Sequence, residues 1–224
     1  MPAKTPCLAG LLLALACSAA FAQDEGLYLG VGAGRSRIKD PASCSEFAGL
    51  LDPGYSCSLT STDTGWKIFG GYQANRIIAF EVGYVDLGAE RLSASGRLIL
   101  VPPPLIPTTG SASAKIGADG FTFDMVLSAP ITEAFSLSAR AGWFAWTLKT
   151  SITANAGNGF TFGLGSQSDS TSGNSFDLGV GARYDFGRNV GVRVEFQRFR
   201  DIGDDKTGKS DVDLISASLI YRFR

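Results

Sequence analysis

Charged side chains recur at alternate positions among apolar ones, and any chemistry of the chain has to be sought there. Lys67, Glu81, Asp124, Arg140, Asp177, Arg183, Arg193, Glu195 and Arg222 fall on the face opposite the large apolar residues of their own stretches. One stretch sets Phe135, Leu137, Ala139, Ala141 and Trp143 against Ser136, Ser138, Arg140 and Gly142; another sets Val190, Val192, Val194 and Phe196 against Gly191, Arg193, Glu195 and Gln197. A period of two is that of a strand with two unlike faces. If the charged face is enclosed, its members persist only as partners, because an unpaired buried charge costs several kcal/mol. The signs are nearly matched. Two uses follow: a permanently closed ion-pair plug that fills a bore and fixes strand register, or a narrow path for ions. The plug is the better fit to a small enclosure.

Catalysis finds little to work with. The chain contains no His, which removes the usual general base and orienting group of hydrolytic triads. A Ser–Lys or carboxylate-only mechanism would need a cluster that no inward or rim group of residues supplies. No catalytic residue, metal site or cofactor is expected. Formal net charge is −1 with no basic cluster in the sequence, which gives no support to nucleic-acid binding.

The elements that must position these residues read as eight alternating runs: Gly26 to Arg37, Thr64 to Gln73, Arg76 to Leu87, Lys115 to Ala129, Ala134 to Leu148, Asn174 to Phe186, Val190 to Phe199 and Ser210 to Phe223. Each is about as long as the ~9 to 11 residues a tilted membrane strand needs. Beyond the N-terminus no apolar stretch reaches the ~20 residues of a membrane helix, so a membrane-spanning form must be a closed barrel. Connections alternate between short and long. Ala74-Asn75, Pro130 to Glu133 and Gly187 to Asn189 are tight turns, whereas the other links are long and polar or rich in Gly, Ser and Pro. Short periplasmic turns and long external loops are the habit of outer-membrane barrels, and an even strand number leaves both termini in the periplasm.

Aromatic residues strengthen the membrane reading. Tyr72, Phe80, Phe135, Tyr184, Tyr221 and Phe223 lie near the short turns or the C-terminus, and Trp66, Tyr84, Phe121 and Trp143 lie nearer the long loops. Two girdles, one for each interface, are the expected result. A soluble β-sandwich or lipocalin-like barrel shares the alternation but has no use for paired girdles. The expected fold is an all-β, eight-stranded, antiparallel up-and-down transmembrane barrel in the outer membrane of a Gram-negative bacterium.

The N-terminal residues supply an export route. Lys4 precedes an apolar run from Leu8 to Cys17, and Ala20-Phe21-Ala22 places small residues before Gln23. This predicts a signal peptide over residues 1–22, cleaved after Ala22, and a barrel domain over 23–224. Cys17 offers a lipoprotein alternative. Of the four cysteines, Cys44 and Cys57 fall in the exported part, where a disulfide closing a short loop is the natural reading. It would contribute about 3 kcal/mol in the chain-entropy model.

The long links carry what specificity there is. Residues 98–107 are apolar and Pro-rich, suited either to docking an extracellular partner or to packing against neighbouring loops as strands three and four extend outward. Residues 150–173 are rich in Gly, Ser and Asn, and Asp201, Asp204, Asp205, Lys206 and Lys209 form a solvated charge run at which lipopolysaccharide or a divalent ion could be touched.

Several strings in this order are recognisable: Phe69-Gly70-Gly71-Tyr72-Gln73-Ala74-Asn75, Phe80-Glu81-Val82-Gly83-Tyr84, Asp119-Gly120-Phe121, Pro130-Ile131-Thr132-Glu133 and the run from Asp211 to Phe223. Together they resemble the transmembrane barrel domain of the outer-membrane protein A family. The resemblance implies a barrel-only member without the periplasmic peptidoglycan-binding domain of the larger proteins, embedded among outer-membrane lipid and lipopolysaccharide. It also implies that Ser216, Ser218, Tyr221 and Phe223 form the signal read by the barrel-assembly machinery, with Ser218 in place of the usual Gly and Arg224 after the normally terminal aromatic. Glu81, Arg140, Arg193 and Glu195 stand where the family places lumen charges. The family's lumen Lys on strand four is Val126 here and an acidic position on strand six is Arg183, so its ion-pair switch is not expected. Any gate would have to use Arg183 or Arg193 with Glu195 or Asp177.

Overall fold

The computed structural model describes residues 25–39, 55–97, 109–156, 166–203 and 208–223. It holds nine β-segments: β1 (Gly26–Ile38), β2 (Ser56–Thr60), β3 (Thr62–Gln73), β4 (Ile78–Arg97), β5 (Thr109–Pro130), β6 (Phe135–Ala156), β7 (Gln167–Asp185), β8 (Val190–Ile202) and β9 (Ser210–Arg222). Both β2 and β3 pair with β4, separated only by Ser61, and serve as one barrel strand. Every neighbouring pair is antiparallel, and β1 closes on β9 from Tyr28↔Arg222 to Ile38↔Val212. The result is a closed, eight-stranded antiparallel barrel. Closure removes the sheet edges that hydrocarbon cannot hydrate.

The short turns are tied by their own side chains. Asn75 Oδ1 accepts from the backbone N–H of Ile77 and of Ile78, each at 2.8 Å, and Gln73 Nε2 donates to the Asn75 carbonyl at 2.6 Å. Thr132 Oγ1 accepts from Phe135 N–H at 3.0 Å, and Asn189 Nδ2 donates to the Arg222 carbonyl at 2.9 Å. The first turn therefore extends through Ile77, and the following strand starts at Ile78 rather than at Arg76 as the alternation suggests.

The outer face is an apolar belt. Leu27, Leu29, Val31, Ile68, Val82, Phe123, Leu137, Leu178, Val180, Val194, Ile215 and Leu219 are all exposed, an inversion of the soluble rule that only a lipid solvent makes favourable. Aromatic pairs edge the belt. Towards the loops, Trp66 and Tyr84 stand 5.7 Å apart, Tyr84 and Phe121 5.2 Å, and Trp143 and Phe176 4.8 Å. Towards the turns, Tyr184 contacts Phe186 at 5.2 Å and Tyr221 contacts Phe223 at 5.1 Å.

Four strands run further outward than the sequence indicates. The structure carries β4 to Arg97 instead of Leu87, starts β5 at Thr109 instead of Lys115, carries β6 to Ala156 instead of Leu148, and starts β7 at Gln167 instead of Asn174. About ten residues cross a membrane, so the loop-ward halves of β4, β5 and β6, with β2, stand outside it. The cause of the shortened reading is visible in β4. A bulge between Asp86 and Ala89 sets Leu87 and Gly88 against Ala118 alone, and Gly88 adopts φ +74°, which suits glycine. The bulge switches the faces: Asp86 points outward before it, and Arg91, Ser93 and Ser95 after it, so a strict period of two ends at Leu87.

Candidate functional site: the sealed lumen

The lumen is narrow enough for Lys67 on β3 to reach Glu195 on β8, and glycines on the lumen face make room for the large side chains beside them on neighbouring strands. A Cβ at Gly30 would lie 2.2 Å from the Phe69 ring, and one at Gly142 would lie 2.0 Å from Asp124 Oδ1. Into this space the strands deliver three layers.

The middle layer is charged. Lys67, Glu81, Asp124, Arg140, Asp177, Arg193 and Glu195 are all buried there, with Gln197. Glu81 is the hub. It accepts from Arg193 Nη1 at 2.5 Å and Nη2 at 3.1 Å, from Tyr28 Oη at 2.7 Å, and from Arg140 Nη2. Glu195 is the second centre, with Lys67 Nζ at 2.5 Å, Arg193 Nε at 3.1 Å and Arg140 Nε at 3.4 Å. Gln197 joins them to Asp177, donating from Nε2 to Asp177 Oδ1 at 2.9 Å while its Oε1 accepts from Arg140 Nη1 at 3.3 Å. Asp124 lies 3.8 Å from Arg140 Nη1. The Arg193 guanidinium also sits 4.4 Å from the centre of the Phe69 ring, a cation–π contact strengthened by loss of water. Four carboxylates face three cations in this layer.

The loop-ward layer is apolar, which the alternation did not reveal. Val85, Leu87, Ala118, Phe144, Trp146, Leu148, Phe199, Ile202, Val212 and Leu214 form one buried cluster. The Phe144 and Phe199 rings, from β6 and β8, meet at 4.7 Å inside the bore over β7. This part of the lumen is filled like a soluble core rather than by the ion-pair plug expected of the bore. Its signal was present in register: from Arg140 the same face continues through Phe144, Trp146 and Leu148. It was hidden because Trp143-Phe144-Ala145-Trp146 is apolar on both faces.

A thinner apolar layer of Tyr28, Phe69, Ala79, Val126 and Ile220 lies on the turn side. Below it Arg183 Nε pairs with Asp185 Oδ1 at 2.9 Å, and Arg222 bonds the other oxygen of Asp185. Of the pairs expected for a gate, Arg193 with Glu195 is present, whereas Arg183 does not meet Glu195 or Asp177: it lies too near the periplasmic mouth and meets Asp185, which the alternation did not single out. A cavity of about 10 Å³ bordered by Tyr28, Val126, Arg183 and Arg193 is room for about one water.

The remaining expected site residues fall as follows. Ser216 and Ser218 face the lumen, and Tyr221 and Phe223 face lipid. Cys57 lies on β2 and is disulfide-bonded, whereas Cys44 lies outside the described residues. So do Ala20, Ala22 and Gln23 of the expected cleavage site, the apolar residues 98–107, and Asp204, Asp205 and Lys206.

A closed antiparallel barrel with a lipid-facing belt, two aromatic edges and a plugged lumen defines an integral protein of the Gram-negative outer membrane. The chain belongs to the family of OmpA-like transmembrane domains, whose model matches residues 22–224. It is 29% identical over 203 residues to outer membrane protein A of Yersinia pseudotuberculosis, a match covering 90% of this chain and 49% of that protein. With outer membrane protein A of Serratia marcescens it is 29% identical over 226 residues, covering 95% and 55%. The chain therefore spans about half the length of the curated relatives it matches. Among solved structures, neisserial surface protein A has the same fold, with a TM-score of 0.53 at 14% identity over 88% of this chain and 97% of that one.

Proposed function

We propose that this protein is a non-enzymatic, closed barrel that anchors a surface-interaction module in the outer membrane. The observation that carries the reading is the filled lumen: an ion-pair layer lies between two apolar layers of buried side chains, and an apolar constriction resists filling by water. What faces the exterior is the β-structure of β2 and the loop-ward halves of β4, β5 and β6; residues 98–107, apolar and Pro-rich in sequence, are suited to docking an extracellular partner. The absence of His from the sequence supports the non-enzymatic part. Ser216, Ser218, Tyr221 and Phe223 would present the last strand to the barrel-assembly machinery before closure.

Planar-bilayer recordings and solute flux in proteoliposomes test the closed state. No conductance steps are expected from refolded protein, and steps altered by Glu195→Gln would establish the alternative, a narrow gated channel. That channel would require Phe144, Phe199 and Leu214 to part. For the exterior, deletion of residues 98–107 is expected to abolish binding to host matrix while leaving the barrel folded; unchanged binding would remove the docking role.

A further inference from the structure

The outer edge of the lipid belt is not uniform around the barrel. On β3 to β7 it ends in aromatic residues, namely Trp66, Tyr84, Phe121, Trp143 and Phe176. On β1 and β8 it ends in cations, and on β9 between them in Asp213 and Asp211. Outward-facing Arg35 and Arg37 follow Ala33 on β1, with Lys39 just past its end, and Arg198 and Arg200 follow Phe196 on β8. Strand β9 lies between these two, with Asp213 opposite both Arg37 and Arg198.

This patch carries surplus positive charge. Asp213 is already occupied, accepting from Arg198 Nε at 2.6 Å and Nη2 at 3.0 Å and lying 3.4 Å from Lys39 Nζ. Asp211 accepts the Asp201 N–H at 3.1 Å. Arg35, Arg37 and Arg200 are exposed and have no ion-pair partner among the described residues. Directly beneath them the same strands offer lipid-facing Val31, Ala33, Phe196, Ile215 and Leu219.

Height and chemistry fix the ligand. The patch stands on the loop side, hence at the outer leaflet, where an apolar surface passes into three unpaired guanidinium groups. A guanidinium binds phosphate through two parallel N–H···O bonds, and it does so best where water is partly excluded. An occupant must therefore be amphiphilic, with acyl chains against the β8–β9–β1 wall and phosphate groups at its sugar or glycerol end. We propose that Arg35, Arg37 and Arg200 form a binding site for a phosphorylated glycolipid of the outer leaflet, oriented by the Arg198–Asp213–Lys39 cluster between them.

The test uses the refolded full-length barrel in neutral phosphatidylcholine nanodiscs doped with bisphosphorylated lipid A, reading lipid co-purified per protein. Arg35→Gln/Arg37→Gln/Arg200→Gln is expected to lower retained lipid A at least tenfold. Lys115→Gln/Lys149→Gln, which removes charge from the opposite wall, should leave it unchanged. Dephosphorylated lipid A should be retained no better by wild type than by the triple variant. Equal retention by wild type and triple variant overturns the site, and so does an equal loss in the Lys115/Lys149 variant. Displacement by millimolar inorganic phosphate would show a free-anion site and overturn the lipid assignment. Heat-modified gel mobility reports folding; if the triple variant fails it, the single variants Arg37→Gln and Arg37→Lys decide, with retention expected to fall in the first and be restored in the second.

Discussion

The middle of the lumen and its loop-ward mouth fill the same bore by opposite means. In the middle, Glu81 and Glu195 each gather three partners, drawn between them from β1, β3, β6 and β8. At the mouth, Phe144, Phe199 and Leu214 exclude water without making a polar contact. The difference teaches where this barrel is brittle. Charges buried together are tolerable only as a complete set, so losing one strands the rest, whereas an apolar layer loses packing in proportion to the atoms removed.

The largest effect is expected at the hub. Glu81→Leu leaves Arg140, Arg193 and the Tyr28 hydroxyl facing one another without their shared acceptor. A loss of about 3 to 5 kcal/mol follows from breaking a buried pair on one side, to be read from urea-induced unfolding in detergent or lipid. A change under about 1 kcal/mol would mean that water enters the layer and solvates it, contrary to a sealed lumen.

Next is Phe144→Ala. Removing a fully buried ring costs about 3 kcal/mol or slightly more, close to the hub in stability but different in consequence, because the ion-pair layer below remains intact. Ion flux should therefore remain absent from Phe144→Ala and from Phe199→Ala alone. It should appear only when the mouth is opened and the hub is broken together. Flux from either mouth variant would show that the apolar layer is the sole barrier and that the charged layer conducts.

A smaller effect separates members of the charged layer itself. Four carboxylates face three cations there, and Asp124 is the most weakly held, with its one ion pair at 3.8 Å. Asp124→Asn brings the charges into balance and keeps the shape, so it should cost no more than about 1 kcal/mol, the scale of one ordinary hydrogen bond. If it proved as damaging as Glu81→Leu, the layer would be a uniform network rather than one built on two centres.

How much of this was legible in the sequence follows the physics of each region. Within the belt, lipid outside and a narrow bore inside impose a strict period of two, and Lys67, Glu81, Arg140, Arg193 and Glu195 could be assigned to the lumen from it. Above the belt both faces of a strand can be wet, so nothing enforces alternation. The outward courses of β4 to β7 and the short β2 were therefore read as loop. The apolar mouth failed for the reverse reason, since Trp143-Phe144-Ala145-Trp146 is apolar on both faces and has no phase. Partner choice is harder still: Arg183 and Asp185 are next neighbours on one face of β7 and pair at 2.9 Å, but a shared face does not say which of the lumen carboxylates a long Arg side chain reaches.

The smallest effect is expected where charge leaves the enclosure. At the rim, Asp63 Oδ2 accepts the Ala89 N–H at 3.0 Å and Arg91 Nη1 at 3.2 Å, and Oδ1 accepts the Thr64 N–H at 2.9 Å. These hold the strand just past the Gly88 bulge. The bond from the Ala89 amide, with further help from Thr64 and Arg91, holds the Asp63 carboxyl below the usual carboxylate range against a desolvation effect that raises it. A carboxyl depressed in the folded state stabilises above its unfolded pKa, and the contribution is lost as pH falls through the folded one. Acidification into and below the ordinary carboxylate range should therefore loosen the bulge while the lumen stays closed. Amide exchange at Ala89 and Arg91 should quicken there, and Asp63→Asn should show the faster rate already at neutral pH. The cost to global stability should stay within about 1 kcal/mol, as for an exposed pair. Exchange that tracked global unfolding instead would mean that the bulge and the buried hub open as one unit, and that the contrast between rim and lumen does not hold.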